Sequence, residues 1–131
     1  MNLRTVVVAL TLALGGVSAA DAGDPVRGQK LFERCTACHS VDPAQRQLPG
    51  PNLHGIVDRP AGTSPEFDYS PSMIEAGRAG LVWTEQALDA FLADSEAYVP
   101  GNWMGAMRIS DAGDRDDLIA FLKHAARRRD R

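Results

Sequence analysis

Lysine is almost missing from this chain: Lys30 and Lys123 are the only two, and every other cation is an arginine or a histidine. The formal net charge is −3; setting aside Arg4 near the start and the closing RRRDR, which carries +3, leaves residues 21–126 near −7. A nucleic-acid partner needs a basic face rather than a basic tip, so that class is excluded. Strand signatures are missing too, since no segment alternates apolar and polar residues over a strand's length. There is no internal repeat and no low-complexity tract in the middle of the chain. The one long apolar run, uncharged from Thr5 to Ala20, has 16 residues, short of the roughly 20 that a spanning helix needs. With Arg4 before it and the small residues Ser18, Ala19 and Ala20 at its exit, residues 1–20 read as a secretory signal peptide; left uncleaved, they would serve as an anchor. Export places the mature chain in the periplasm. About 110 residues remain, enough for one small domain over 21–126 with a basic, solvated tail over 127–131.

What the chain does contain is helix and loop. Asp24 is placed to cap a first helix with Pro25 at its first position, and Gly28, Leu31, Phe32 and Cys35 follow at spacings of three and four. A second helix starts at Thr84, with Glu85 in its first turn and Leu88, Phe91 and Leu92 as its stripe before Asp94. A third starts around Asp114, with Asp116 and Asp117 early, Leu118, Ile119, Phe121, Leu122 and Ala125 on one face, and basic residues at its end. A short helical turn after Ser70-Pro71, stopped by Gly77, completes the set. The connections QLPGPNLHG, DRPAGTSP and YVPGNWMGAM are rich in Gly and Pro. Three modest helices among so much loop bury little, and a chain of this kind needs a staple or a cofactor to fold around. The fold class expected is all-α, built around something.

Both cysteines fall in LFERCTACHSV, residues 31–41, three apart and followed at once by His39. A disulfide would use Cys35 and Cys38 but leave His39 idle, and a thioredoxin-type redox pair expects a βαβ unit that is not here. A structural zinc site needs four protein ligands, and there is no second cysteine pair. Covalent haem attachment uses every part of CTACH, with two thioethers from thiols one helical turn apart and an imidazole at the iron. Disulfide and zinc stay as the alternatives. An iron held by one histidine leaves a sixth position that a soft ligand on a loop can close, making an electron carrier; left open, the position binds small molecules. Met104, framed by Pro100, Gly101 and Gly105, is the first candidate and Met107 its rival, while Met73 reads as core.

With these residues in view, the sequence resembles the class I c-type cytochromes, mitochondrial cytochrome c and its soluble bacterial relatives. The resemblance covers about residues 23–125 and rests on GDPVRGQKLF, CTACH, GPNLHGIVDRPAG, Phe67-x-Tyr69, Trp83, YVPG-x-x-M and DLIAFLK in that order. It implies a small cytochrome c fold, three main helices plus loops wrapped around one covalently bound haem c, attached at Cys35 and Cys38. It also implies His39 and Met104 as axial ligands, the Pro51 carbonyl accepting from the far ring nitrogen of His39, and Arg59, Tyr69 and Trp83 at the haem propionates. Gly28 and Phe32 would meet Leu118 and Phe121 where the first and last helices cross, and His54 would lie at the surface. Four departures bear on partners: Phe91 where the family has tyrosine, Trp103 where it has lysine, Ala106 for phenylalanine, and Glu96 with Ala97 in place of docking lysines. The function implied is a monomeric, non-enzymatic single-electron carrier. Its donor would be a membrane cytochrome complex or dehydrogenase and its acceptor an oxidase or reductase, with membrane contact only through them. The alternative is a haem enzyme or gas sensor with a labile methionine, but beside Met104 stand only Asn102, Trp103 and Arg108, with no distal histidine or carboxylate.

Overall fold

Among the described residues, five α-helices, α1 (Pro25–Phe32), α2 (Pro71–Arg78), α3 (Glu85–Ala93), α4 (Ser95–Tyr98) and α5 (Ala112–Arg127), form the scaffold. The structure, a computed structural model, describes residues 22–105 and 107–128; the signal-peptide reading of 1–20, Ala106 and the tail from 129 onward lie outside the described residues. No strand is formed among the described residues, whose single β-bridge joins Pro60 to Val82. None of their helices is long and apolar enough to cross a membrane.

Each helix starts where a short polar side chain can take an orphan amide. Asp24 accepts from the N–H groups of Val26 and Arg27, Ser70 from Met73, and Thr84 from Ala87. α1 runs into a 3₁₀ turn, Glu33–Cys35, which carries the chain to the second cysteine and His39. α5 begins earlier than the sequence reading put it. Asp111, not Asp114, is its cap, accepting the Asp114 N–H at 2.9 Å. Gly113 is tolerated in the first turn, where its N–H has no intrahelical partner in any case. α2 also runs one residue past its expected stop. Gly77 stays helical because its missing side chain makes room for the Ala61 carbonyl, which a Cβ would meet at 2.1 Å.

The frame is the crossing of α1 and α5. Gly28 and Phe32 are buried on α1, and the Phe32 and Phe121 ring centroids lie 5.2 Å apart. Gly28 lets the backbones approach closely: a Cβ there would lie 1.9 Å from the Asp117 carbonyl oxygen. The same crossing is pinned at its polar end. Asp117, 5 % exposed, accepts the Asp24 N–H at 2.6 Å and pairs with Arg27 at 3.2 Å. α3 is fastened to α5 by Arg115–Asp89 at 2.6 Å and Lys123–Glu85 at 2.5 Å. The buried residues of these helices form one core with Ile56, Met73, Trp83 and Val99.

Candidate functional site

One face of that core opens into a crevice. Its walls are mainly apolar, with Trp83, Phe91, Leu92, Leu118 and Leu122 among them. Cys35, Cys38, His39 and Pro51 line it, together with Tyr69, Met104 and Met107. Local sequence brings Cys35, Cys38 and His39 together: the 3₁₀ turn after α1 leads into a turn closed by the His39 N–H donating to the Cys35 carbonyl at 2.9 Å.

The His39 ring is fixed from behind. Its Nδ1 lies 2.7 Å from the Pro51 carbonyl oxygen. A carbonyl can only accept, so Nδ1 carries the proton and Nε2 keeps its lone pair. Burial pushes the imidazole pKa down, against the smaller opposing effect of the Pro51 bond, and so favours this neutral form. Gly50 makes the arrangement possible, because a Cβ there would lie 2.7 Å from His39 Cε1 and 3.0 Å from the Cys38 carbonyl oxygen.

Both cysteines are free thiols, Cys35 half-buried and Cys38 exposed. Burial raises the pKa of Cys35, opposed by the positive charge of Arg34, with Cys38 adding a lesser upward push. No three His, Cys, Asp or Glu side chains are grouped to hold a metal ion among the described residues. That leaves the zinc alternative without a ligand set.

Met104 and Met107 both line the crevice but are held differently. Met107 is bound through its backbone to α4, its N–H donating to Ser95 Oγ at 3.1 Å. Met104 sits on the free span of the loop, 38 % exposed, its N–H donating to Asn102 Oδ1 at 2.9 Å. Trp103 beside it is 66 % exposed.

The residues assigned to propionates divide. Trp83 is buried in the crevice wall, and its indole N–H makes no hydrogen bond among the described residues. Tyr69 also lines the crevice, its hydroxyl accepting the Ser64 N–H at 3.2 Å. Arg59 is not in the lining. Its guanidinium donates to the carbonyls of Asn52 (3.0 Å) and His54 (3.2 Å), and burial pushes its pKa down despite the neighbouring Tyr69. His54 is half-buried rather than at the surface, with Nδ1 3.2 Å from the Val41 carbonyl oxygen. Sequence reasoning missed Gly50, Ser95 and the anchoring role of Asn102. Only Asn102 carried a signal, as a turn-forming residue after Pro100-Gly101.

The donor set fits a haem. Two thiols, a neutral imidazole and a thioether line one apolar crevice. The family model described as "Cytochrome c" matches residues 25–126. A cytochrome c2 of Agrobacterium tumefaciens (strain II Chrys) is 42 % identical over 104 residues, covering 79 % of this chain and 94 % of that protein. A cytochrome c2 of Rhodomicrobium vannielii is 41 % identical over 105 residues, covering 80 % and 82 %. Among solved structures, the cytochrome c2 of Rhodospirillum centenum superposes with a TM-score of 0.75 at 37 % identity, covering 79 % of this chain and 99 % of that one.

Proposed function

The chain belongs to the cytochrome c family, and we propose that it is a diffusible periplasmic carrier of single electrons whose haem c is held by Cys35, Cys38, His39 and Met104. The observation that carries this reading is the crevice itself, which gathers two thiols, a neutral imidazole and an exposed thioether against an apolar wall. Haem, when bound, supplies a reversible one-electron change; the chain positions and tunes it. Cys35 and Cys38 would hold the group, each thiol adding across one vinyl group with its hydrogen going to the neighbouring carbon, and their spacing of one turn would let both reach it from one side. His39 offers the Nε2 lone pair while Pro51 holds the ring and raises its basicity. Met104 offers a soft sulfur that favours the ferrous state. The apolar wall acts in the same direction, because it solvates the additional ferric charge poorly. Trp83 and Tyr69, both in the crevice lining, would offer polar hydrogens to the propionates, and Arg59, outside the lining, would add positive charge. Electron exchange then needs no proton transfer from the chain.

The export reading follows from residues 1–20 and suits thiols that must meet haem outside the cytoplasm. Donor and acceptor are redox proteins, a membrane cytochrome complex or dehydrogenase on one side and an oxidase or reductase on the other. Two measurements test the assignment. Partition in acidified organic solvent should leave the red colour on the polypeptide; colour in the organic layer refutes covalent attachment. Met104→Ala should abolish the weak far-red band of sulfur-ligated ferric haem, and Met107→Ala should keep it. The reverse pattern gives the sixth position to Met107.

A further inference from the structure

The loop bearing Met104 has little packing to hold it. It contains two glycines in the left-handed region, Gly101 (φ 81°) and Gly105 (φ 79°), and its central residues, Trp103 and Met104, are exposed. What fastens it is a polar hub beneath it. Ser95, the first residue of α4, is wholly buried at 0 % exposure. Its hydroxyl donates to the Gly105 carbonyl at 2.5 Å and accepts the Met107 N–H at 3.1 Å. Its own N–H donates to the Met107 carbonyl at 3.2 Å. Its carbonyl accepts from Asn102 Nδ2 at 3.0 Å. The second proton of that amide goes to the Val99 carbonyl, also 3.0 Å away, and its oxygen accepts the Met104 N–H at 2.9 Å.

Met104 is therefore gripped on both sides through one serine: its N–H through the Asn102 amide, the next residue's carbonyl through the Ser95 hydroxyl. We propose that Ser95, acting with Asn102, is a positioning residue that sets how firmly Met104 stays on the iron. This rests on Met104 being the sixth ligand. The physical argument is local opening. An external ligand can reach the iron only in molecules whose loop has lifted, so its binding rate follows the open fraction. Removing the Ser95 hydroxyl leaves the Gly105 carbonyl and the Met107 N–H without that partner in the closed state alone. The open state, where water can reach both, loses nothing. The loop therefore opens more often while the thioether attachments and the α1–α5 frame are untouched.

The test uses the ferric holoprotein and cyanide. Ser95→Ala and Asn102→Ala should each bind cyanide about tenfold faster than the parent, equivalent to about 1.4 kcal/mol in the opening equilibrium. Asn102→Asp, which keeps the acceptor for the Met104 N–H, should recover part of the parent rate. Ile119→Ala, a truncation at a buried α5 residue that does not line the crevice, should lower the denaturation midpoint without moving the cyanide rate. An unchanged rate in Ser95→Ala with a lowered midpoint overturns the proposal and makes the serine an ordinary buried polar group. Cyanide rates that rise equally in Ile119→Ala overturn it as well, because global loosening then explains them. Met104→Ala separates the two readings. Loss of its far-red band beside an unmoved Ser95→Ala rate removes the clamp and leaves the ligation reading standing, whereas a retained band removes both.

Discussion

Gly50→Ala tests how the chain tunes its iron, because the new methyl group would strike the histidine and nothing else that is soft. The added Cβ would lie 2.7 Å from His39 Cε1, 3.0 Å from His39 Nδ1 and 3.0 Å from the Cys38 carbonyl oxygen. Ordinary contact begins near 3.4 Å, so the ring or the 49–51 backbone must give by about 0.7 Å. The Gly50 N–H is tied to the Cys38 carbonyl at 2.8 Å, so the backbone can retreat only by breaking that bond. The ring can turn only by stretching its 2.7 Å bond to Pro51 toward 3.4 Å, where little of it remains. Overpacking of this kind costs about 1–3 kcal/mol of stability. The electronic effect is separable. The Pro51 bond makes His39 a stronger donor and stabilises the ferric state more than the ferrous. If its full net value of about 1 kcal/mol bore on that difference, the shift would be about 40 mV, at about 59 mV per tenfold for one electron. A rise in midpoint potential of about 10–40 mV is the expected result, read by redox titration, with a lowered denaturation midpoint. A fall in potential, or no change beside an unchanged midpoint, refutes this reading of the His39–Pro51 bond.

Three further outcomes follow from other positions. Gly28→Ala gains about 0.5–1 kcal/mol of helix propensity but places a Cβ 1.9 Å from the Asp117 carbonyl oxygen and 2.7 Å from Phe121 Cβ. Overpacking wins, and denaturant titration should show a net loss of about 2 kcal/mol with the potential unmoved; a stability gain would mean the crossing is looser than described. Asp58 holds φ at 65° without being glycine; relief of about 1–2 kcal/mol of left-handed strain against about 0.5–1 kcal/mol of unfolded-state entropy gives Asp58→Gly a small net stabilisation, which a lower melting temperature would contradict. With an oxidase that selects lysine-ringed carriers, electron transfer should be slow and vary less than about threefold between about 10 and 300 mM salt, where the screening length falls from roughly 30 to 6 Å. A fast rate that drops steeply with salt would show that Trp103, Glu96 and Ala97 do not define the docking face.

What could be read from the sequence was local or contiguous. Cys35, Cys38 and His39 lie within five residues, so their chemistry needs no fold to be recognised. Asp24-Pro25 and Thr84-Glu85 start helices by the chemistry of a single turn, and both helices form where those residues stand. What escaped depends on partners far along the chain. Gly77 stays helical because of the Ala61 carbonyl, sixteen positions away, and the helix therefore passes through a residue that propensity would use as a stop. α4 is a single turn capped by Asp94, which itself has extended backbone (φ −161°), so the pattern from Leu88 to Leu92 gave no sign of a second start. Ser95 carries no hint of its role at all. A serine early in a helix is usually a solvated residue, and here the contacts of Gly105 and Met107 with Ser95 accompany its burial.

The two kinds of contact also divide the work of the site. The α1–α5 crossing is apolar, cooperative and built on aromatic packing, so it opens only when the domain unfolds. Cys35, Cys38 and His39 issue directly from that frame, through the 3₁₀ turn at the end of α1. Met104 does not. It is held by hydrogen bonds among Ser95, Asn102 and the loop's own backbone, which can break locally at a fraction of the cost of global unfolding. With Met104 as the proposed sixth ligand, a chain arranged in this way would change the strength of that sulfur contact, and with it the potential and the exposure of the iron, by substitutions in the Met104 loop. Haem attachment would be unaffected. Of the departures the resemblance implies, Phe91 lies on α3, Glu96 and Ala97 on α4 and Trp103 on that loop, and none of these four lies on α1 or α5.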